Sequence, residues 1–177
     1  IDWETSAAVL EKIIAYEAVH EIRRWQDLRL RVAAPDRRLY AYFHPALGME
    51  PLIFVEVAIT AKTPEAIAPI LCDERTHLNP KEATTAVFYS ISNCQSGLKG
   101  ISFGNFLIKQ VVESLHREFP NLKTFVTLSP VPGFRKWSLA QPSNPDPLTT
   151  EQDLALIVQL EKAKVDGTLL AFISSNN

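Results

Sequence analysis

Apolar and polar positions follow two rhythms along this chain, and each change of rhythm marks an element. Thr5-Ser6 precede Ala-Ala-Val-Leu-Glu-Lys-Ile-Ile, in which Val9, Leu10, Ile13 and Ile14 recur at helical spacing, so a capped helix is predicted. Residues 24–32 predict a second helix, with Trp25, Leu28 and Val32 on one face and the arginines on a solvated one. Residues 38–44 (RLYAYFH) alternate like a strand. Residues 45–51, with Gly48 and two prolines, read as a turn, and 52–60 (LIFVEVAIT) as the second strand of an antiparallel hairpin. Glu56 interrupts that apolar run and is expected to face solvent or a site. A short helix is predicted over 64–71, with Pro64 near its start.

Residues 73–82 are polar and loop-like, and 84–94 (TTAVFYSISNC) predict a third strand. A loop over 95–104 with three glycines leads to the strongest helix, 105–119, whose stripe runs Phe106, Leu107, Val111, Leu115 and which Pro120 and Asn121 stop. A fourth strand, 123–128, ends at Ser129-Pro130. Three prolines in 142–147 mark an exposed loop, and a last helix is predicted over 151–164, capped by Thr149 or Thr150. The order of helices, hairpin, strand, glycine loop, helix and strand predicts an α/β (or α+β) fold, a mixed central sheet flanked by helices. Residues 1–36 read as a helical lead-in, and 37–177 as the main domain.

Composition narrows the partners. A chain of 177 residues with 46% hydrophobic residues can bury one sizeable core. Its formal net charge of −2 argues against general nucleic-acid or membrane-surface binding, while a few local basic residues could still hold a polyanion. Cys72 and Cys94 have no disulfide or zinc spacing and read as buried or half-buried free thiols, which points to a reducing compartment; a cytoplasmic location is expected, with a mitochondrial or peroxisomal source left open. No apolar run reaches the roughly 18 residues of a membrane span, and acidic residues break any leader-like stretch. The start at Ile1 is expected of a fragment or a processed product. Among His20, His44, His77 and His116 no pair has helical metal-ligand spacing, and His116 is expected at the surface.

Candidate chemistry concentrates in 84–129. A glycine-rich loop entering a helix N-terminus exposes backbone N–H groups where the helix dipole is positive, a place for phosphate or pyrophosphate. Gly97, Gly100 and Gly104 allow close approach, and Lys99 adds charge. The spacing fits neither the P-loop nor the dinucleotide fingerprint, so a plain strand-to-helix turn reads equally well. Ser129 sits where a strand should end beside that loop, a common ligand position in a strand–helix–strand crossover. On the residues alone, a serine that merely ends the strand, or caps the short segment after it, is the favoured reading.

The runs Tyr89-Ser-Ile-Ser, Gln95-Ser-Gly-Leu-Lys-Gly-Ile-Ser-Phe-Gly-Asn-Phe, Leu128-Ser-Pro-Val-Pro-Gly-Phe and Lys136-Trp, with Tyr16-Glu-Ala-Val-His and Trp25 upstream, resemble malonyl-CoA decarboxylases over about residues 1–138. The resemblance implies a fold similar to the GNAT acetyltransferases and conversion of malonyl-CoA to acetyl-CoA and CO2 with no metal or organic cofactor. It implies that Lys99, Gly100, Ile101, Ser102, Phe103, Gly104 and Asn105 line the CoA-ester site, with Ser90 near it and Ser129 as the catalytic serine. Animal members carry glutamate where this chain has Ser102, so that carboxylate's role does not transfer. The family's proton-donating histidine lies in a Phe-His motif beyond Asn177, and its N-terminal helical domain has no counterpart before residue 37 beyond the lead-in, so the resemblance implies a piece of the enzyme whose main domain is expected to be truncated at its C-terminus. The family forms homo-oligomers, so one is expected here. Two other readings stay open: an acyltransferase of the same fold group, and a non-catalytic CoA-binding module.

Overall fold

The structure, a computed structural model, describes residues 1–98, 103–133 and 137. Helices α1 (Ala7–Tyr16) and α2 (Trp25–Val32) lead into strands β1 (Arg37–Phe43) and β2 (Pro51–Thr60). After these come helix α3 (Ala68–Leu71), strand β3 (Thr85–Asn93), helix α4 (Phe103–Glu118) and strand β4 (Thr124–Thr127). The four strands form one sheet in the order β1-β2-β3-β4. The first two pairings are antiparallel and β3–β4 is parallel, so the mixed α/β reading holds. The chain divides into two compact units, Ile1–Ser129 and Pro130–Asn177, and the lead-in helices belong to the first. The helix expected over 151–164 and the loop at 142–147 lie outside the described residues.

Strand β2 shows why its sequence reads as an unbroken apolar run. Nine of its ten residues are buried, because helices cover both faces of the sheet. On one face Val55, Val57, Ile59, Ala86 and Phe88 pack against α4. That helix contributes Leu107, Val111 and Leu115, each a little over one turn from the last, and Phe119 follows just past its end. On the other face Leu39 and Phe54 meet α1 and α2 through Leu10, Ile13, Leu28 and Val32, while Ala58 and Val87 meet α3 through Ile67 and Ile70.

Several expectations are corrected. Arg31 is not on a solvated face of α2, and Glu56 does not reach solvent. Both are buried, and Arg31 Nη1 donates to the Glu56 carboxylate at 3.0 and 3.3 Å. The sheet leaves no route to water at the middle of β2, so its one carboxylate needs a cation from the helix above. Trp25 is exposed and stacks edge-on against Trp3, with Arg29 over the Trp3 ring. Phe106 also leaves the core stripe and meets Tyr42 edge-on at 5.9 Å. Helix α3 spans only Ala68–Leu71, because Pro69 cannot donate inside a longer helix and instead occupies its first turn. Cys94 is buried, whereas Cys72 is exposed. His116 lies at the surface as expected, its ring tilted against Phe125.

Burial pushes Glu56 up from its ordinary 4.5 to about 7, against the pull of Arg31. The folded state therefore holds this proton more tightly than the unfolded chain does. Its contribution to stability is greatest below about pH 4.5 and is lost as pH rises to about 7. Urea unfolding across that window should show a falling component that Glu56→Gln removes. Arg31→Ala should cost about 3–5 kcal/mol, because it strands a buried carboxylate. A pH-independent difference between wild type and Glu56→Gln would contradict this reading.

Candidate functional site

The site begins with one extra residue. Along β2, Glu56 faces Ser90 while the next residue, Val57, faces Phe88, so Tyr89 is a bulge in β3. A bulge bends a strand and ends its pairing on the far side, and that happens here. The parallel register runs from Thr85↔Thr124 to Phe88↔Thr127 and stops, with a last bond from Leu128 N–H to the Phe88 carbonyl at 2.9 Å. Beyond it the β4-facing edge of 89–93 has no ladder partner among the described residues. Carried two residues further, the same register would bring Ser129 abreast of Ser90. Ser129 is exposed, and Ser90 is buried.

The bulge also changes which way side chains point. Phe88 faces α4, but Tyr89 and Ser90 both turn to the opposite face, Tyr89 packing against Ile67 and Ile70 and Ser90 turning toward the lead-in. Glu17 meets Ser90 there. Its carboxylate accepts from Ser90 Oγ at 2.8 Å to each oxygen and from Ser92 Oγ at 3.2 Å. It also accepts the backbone N–H groups of Val19 and His20 at 2.9 and 2.7 Å. Ser92 Oγ in turn accepts from the Ala18 N–H. One carboxylate at the end of α1 thus fixes both the lead-in chain and the opened stretch of β3. The Tyr89 hydroxyl is buried beside Glu56 without a hydrogen bond of ordinary geometry, and His20 Nε2 likewise has none. Burial lowers the affinity of His20 for a proton and so favours its neutral form.

Helix α4 starts at the same end of the sheet, because a helix crossing between parallel neighbours begins where the first strand ends. Phe103 opens α4, followed by the half-buried Gly104 and the exposed Asn105. Before it, Ser96–Leu98 make a single 3₁₀ turn. Lys99, Gly100, Ile101 and Ser102 lie outside the described residues, as does the Phe103 side chain. A methyl group at Gly104 would make only ordinary contacts, 3.6 Å to Ile91 and 3.8 Å to Ile53, and Gly97 has open space around it. Neither has a positive φ, so the fold itself does not require glycine at either position. Cys94 is buried, and its thiol is pushed up to about 12, by burial first, which favours the protonated form. Among the described residues no group of three or more His, Cys, Asp or Glu is disposed to hold a metal, and no helix is long and apolar enough to cross a membrane.

Of the residues singled out from the sequence, the structure puts Ser90, Ser129, Gly104 and Asn105 at the end of the sheet where β3 and β4 part. Glu17 was singled out only as part of a family-like run. The signal available was Ser-Ile-Ser, whose alternate positions put two hydroxyls on one strand face and call for an acceptor.

These features define an α/β domain whose mixed sheet opens at the C-terminal ends of its parallel pair, the class in which ligands lie beside strand ends. Within that class the chain belongs to the malonyl-CoA decarboxylase family: the model described as "Malonyl-CoA decarboxylase C-terminal domain" matches residues 1–169. It is 45% identical over 140 residues to a protein from Anser anser anser named "Malonyl-CoA decarboxylase, mitochondrial", covering 77% of this chain and 27% of that protein. The crystal structure of malonyl-CoA decarboxylase from Agrobacterium vitis is similar with a TM-score of 0.78 and 56% identity, over 94% of this chain and 43% of that one. That from Rhodopseudomonas palustris has a TM-score of 0.75 and 60% identity, over 93% and 39%. The chain thus spans less than half the length of each of these relatives.

Glu17→Ala should strip the acceptor from two buried hydroxyls and two backbone N–H groups and cost about 1–3 kcal/mol. Amide exchange at residues 89–92 should quicken more than at β2. Urea unfolding and hydrogen exchange check this, and an unchanged unfolding midpoint would count against the anchor.

Proposed function

We propose that this chain carries the substrate-holding part of a malonyl-CoA decarboxylase, which converts malonyl-CoA to acetyl-CoA and CO2. One observation supports the reading above the rest: β3 and β4 part at the Tyr89 bulge, with Ser129 at the opened end. The pantetheine arm of a CoA ester carries amide groups, and the unpaired edge of β3 offers the backbone donors and acceptors that such amides need. The first turn of α4 offers N–H groups and a positive dipole end to the pyrophosphate. Lys99, Gly100, Ile101, Ser102 and Phe103 continue that wall in our proposal, with Gly104 and Asn105.

Loss of CO2 leaves a thioester enolate, so the site must stabilise an oxyanion and then deliver a proton to carbon. Ser129 donates a hydrogen bond to the substrate carboxylate or thioester oxygen and holds it for cleavage. Ser90, tied to Glu17, keeps the facing edge of β3 in place. The proton donor in this proposal is the family's histidine beyond Asn177. His20 is buried under the sheet, and His116 lies on the exposed side of α4. A homo-oligomer is part of the proposal, with the exposed Trp3–Trp25 pair of the lead-in as a contact surface.

Two measurements test it. In the longest product of the gene, Ser129→Ala should lower kcat for acetyl-CoA formation from malonyl-CoA by about 10²–10³-fold, the scale of losing one oxyanion-stabilising donor. Acetyl-CoA should form without an acyl acceptor. Undiminished turnover would remove Ser129 from the mechanism, and a strict need for an acceptor would favour acyl transfer. In the 177-residue chain, Gly104→Ala should leave stability equal or higher by about 1 kcal/mol, since alanine favours a helix. It should nevertheless weaken malonyl-CoA binding in calorimetry, and equal affinity would place the ligand elsewhere.

A further inference from the structure

On the face of the sheet opposite α4, a cavity of about 360 Å³ opens between α2, the start of β1 and α3. Five arginines line it (Arg23, Arg24, Arg31, Arg37 and Arg75) against three acidic residues. Two of these guanidiniums are buried and a third nearly so: the side chains of Arg31, Arg37 and Arg75 keep 8%, 4% and 10% of their surface. Behind the cavity wall, among the described residues, two carboxylates pair with those three, and the backbone carbonyls of Glu21, Asp36 and Ile70 accept from Arg31 and Arg37. Glu56 pairs with Arg31. Asp36 is shared, accepting from Arg75 Nη1 at 2.5 Å and lying 3.4 Å from Arg37 Nη1.

The sharing leaves unpaired atoms on both sides: Asp36 Oδ1 is buried without a hydrogen-bond partner among the described residues. Arg75 Nη2 is buried and has no hydrogen-bond partner among the described residues. A buried donor left unpaired costs free energy, more so on a charged group. Arg37 is pushed below the ordinary arginine range, by burial first, with repulsion from Arg75 adding to it. At the rim, Arg23 is paired with Glu21, and Arg24 with Asp27 and Asp73. Arg24 is largely exposed, so its guanidinium can swing to an incoming ligand at little cost.

We propose that this cavity is a binding site for a small oxyanion, a carboxylate- or phosphate-bearing molecule gripped by Arg75 and Arg37 from within and Arg24 from the rim. Planar guanidiniums meet such groups two donors at a time. The volume lies at the lower end of the roughly 300–1,000 Å³ usual for small-molecule sites, which suits a compact anion. The site shares no residue with the strand edge and helix start proposed for the CoA ester, so it stands or falls independently of that reading.

The test uses the 177-residue chain with inorganic phosphate and, separately, malonate, each titrated against chloride at constant ionic strength. Thermal unfolding and amide chemical shifts are the readouts. At least one anion should raise the unfolding temperature saturably above chloride and shift the amides of residues 70–75. Arg24→Ala should weaken that response about tenfold, and Arg75→Gln should abolish it. Should Arg75→Gln fail to fold, the Arg24→Ala result decides. Phosphate alone acting would assign a phosphate-bearing ligand, and malonate alone a carboxylate. No response beyond chloride, or a response that both variants leave intact, overturns the proposal; the second outcome would mean an adventitious ion only, or binding at the start of α4.

Discussion

Between Phe88 and Ser90, strand β3 holds one residue more than its partner β2, and the geometry of the sheet follows from that insertion. A strand alternates its side chains, so an extra residue cannot be absorbed without breaking the alternation. Here the break puts Tyr89 and Ser90 on the same face while Phe88 keeps its place under α4. It bends β3 away from β4 after four paired residues, and the backbone edge beyond is left open. A closed ladder would have hidden that edge behind β4 and left no place for a ligand beside Ser129.

Such a distortion persists only if its surroundings hold it. Ser90, turned inward by the insertion, and Ser92 beyond it would bury hydroxyls with no acceptor, and the lead-in segment supplies one. Glu17 receives both serines and two backbone N–H groups. One layer further in, Arg31 balances the Glu56 carboxylate, which faces Ser90 across the ladder. The lead-in helices are thus part of the same structure as the strand edge. They contribute polar contacts as well as apolar packing through Leu10, Ile13, Leu28 and Val32.

The parts of this fold that rest on periodicity were legible in the sequence. The apolar run of β2, the hairpin, the α4 stripe at Leu107, Val111 and Leu115, and the stop at Pro120 all arise from local patterning. What was not legible depends on distant partners. Arg31 looks like its exposed neighbours until Glu56, 25 residues away, is placed beneath it. Glu17 and Ser90 are 73 residues apart, and nothing in either segment names the other. The bulge has no compositional mark, because Tyr-Ser-Ile-Ser reads as good strand whether or not a residue is inserted. Trp25 and Phe106 fit an apolar stripe, yet each finds an aromatic partner at the surface instead. Of the site residues, Ser129 and the helix start could be placed by topology alone, while the burial of Ser90 could not.

The central claim is that the parted ends of β3 and β4, with the first turn of α4, hold malonyl-CoA. Backbone amide chemical shifts recorded while malonyl-CoA is titrated into the chain test it most directly. The largest changes are expected at residues 89–93, at Gly104 and Asn105, and at Ser129. Saturable binding whose changes cluster elsewhere, or no change at these amides, would contradict it.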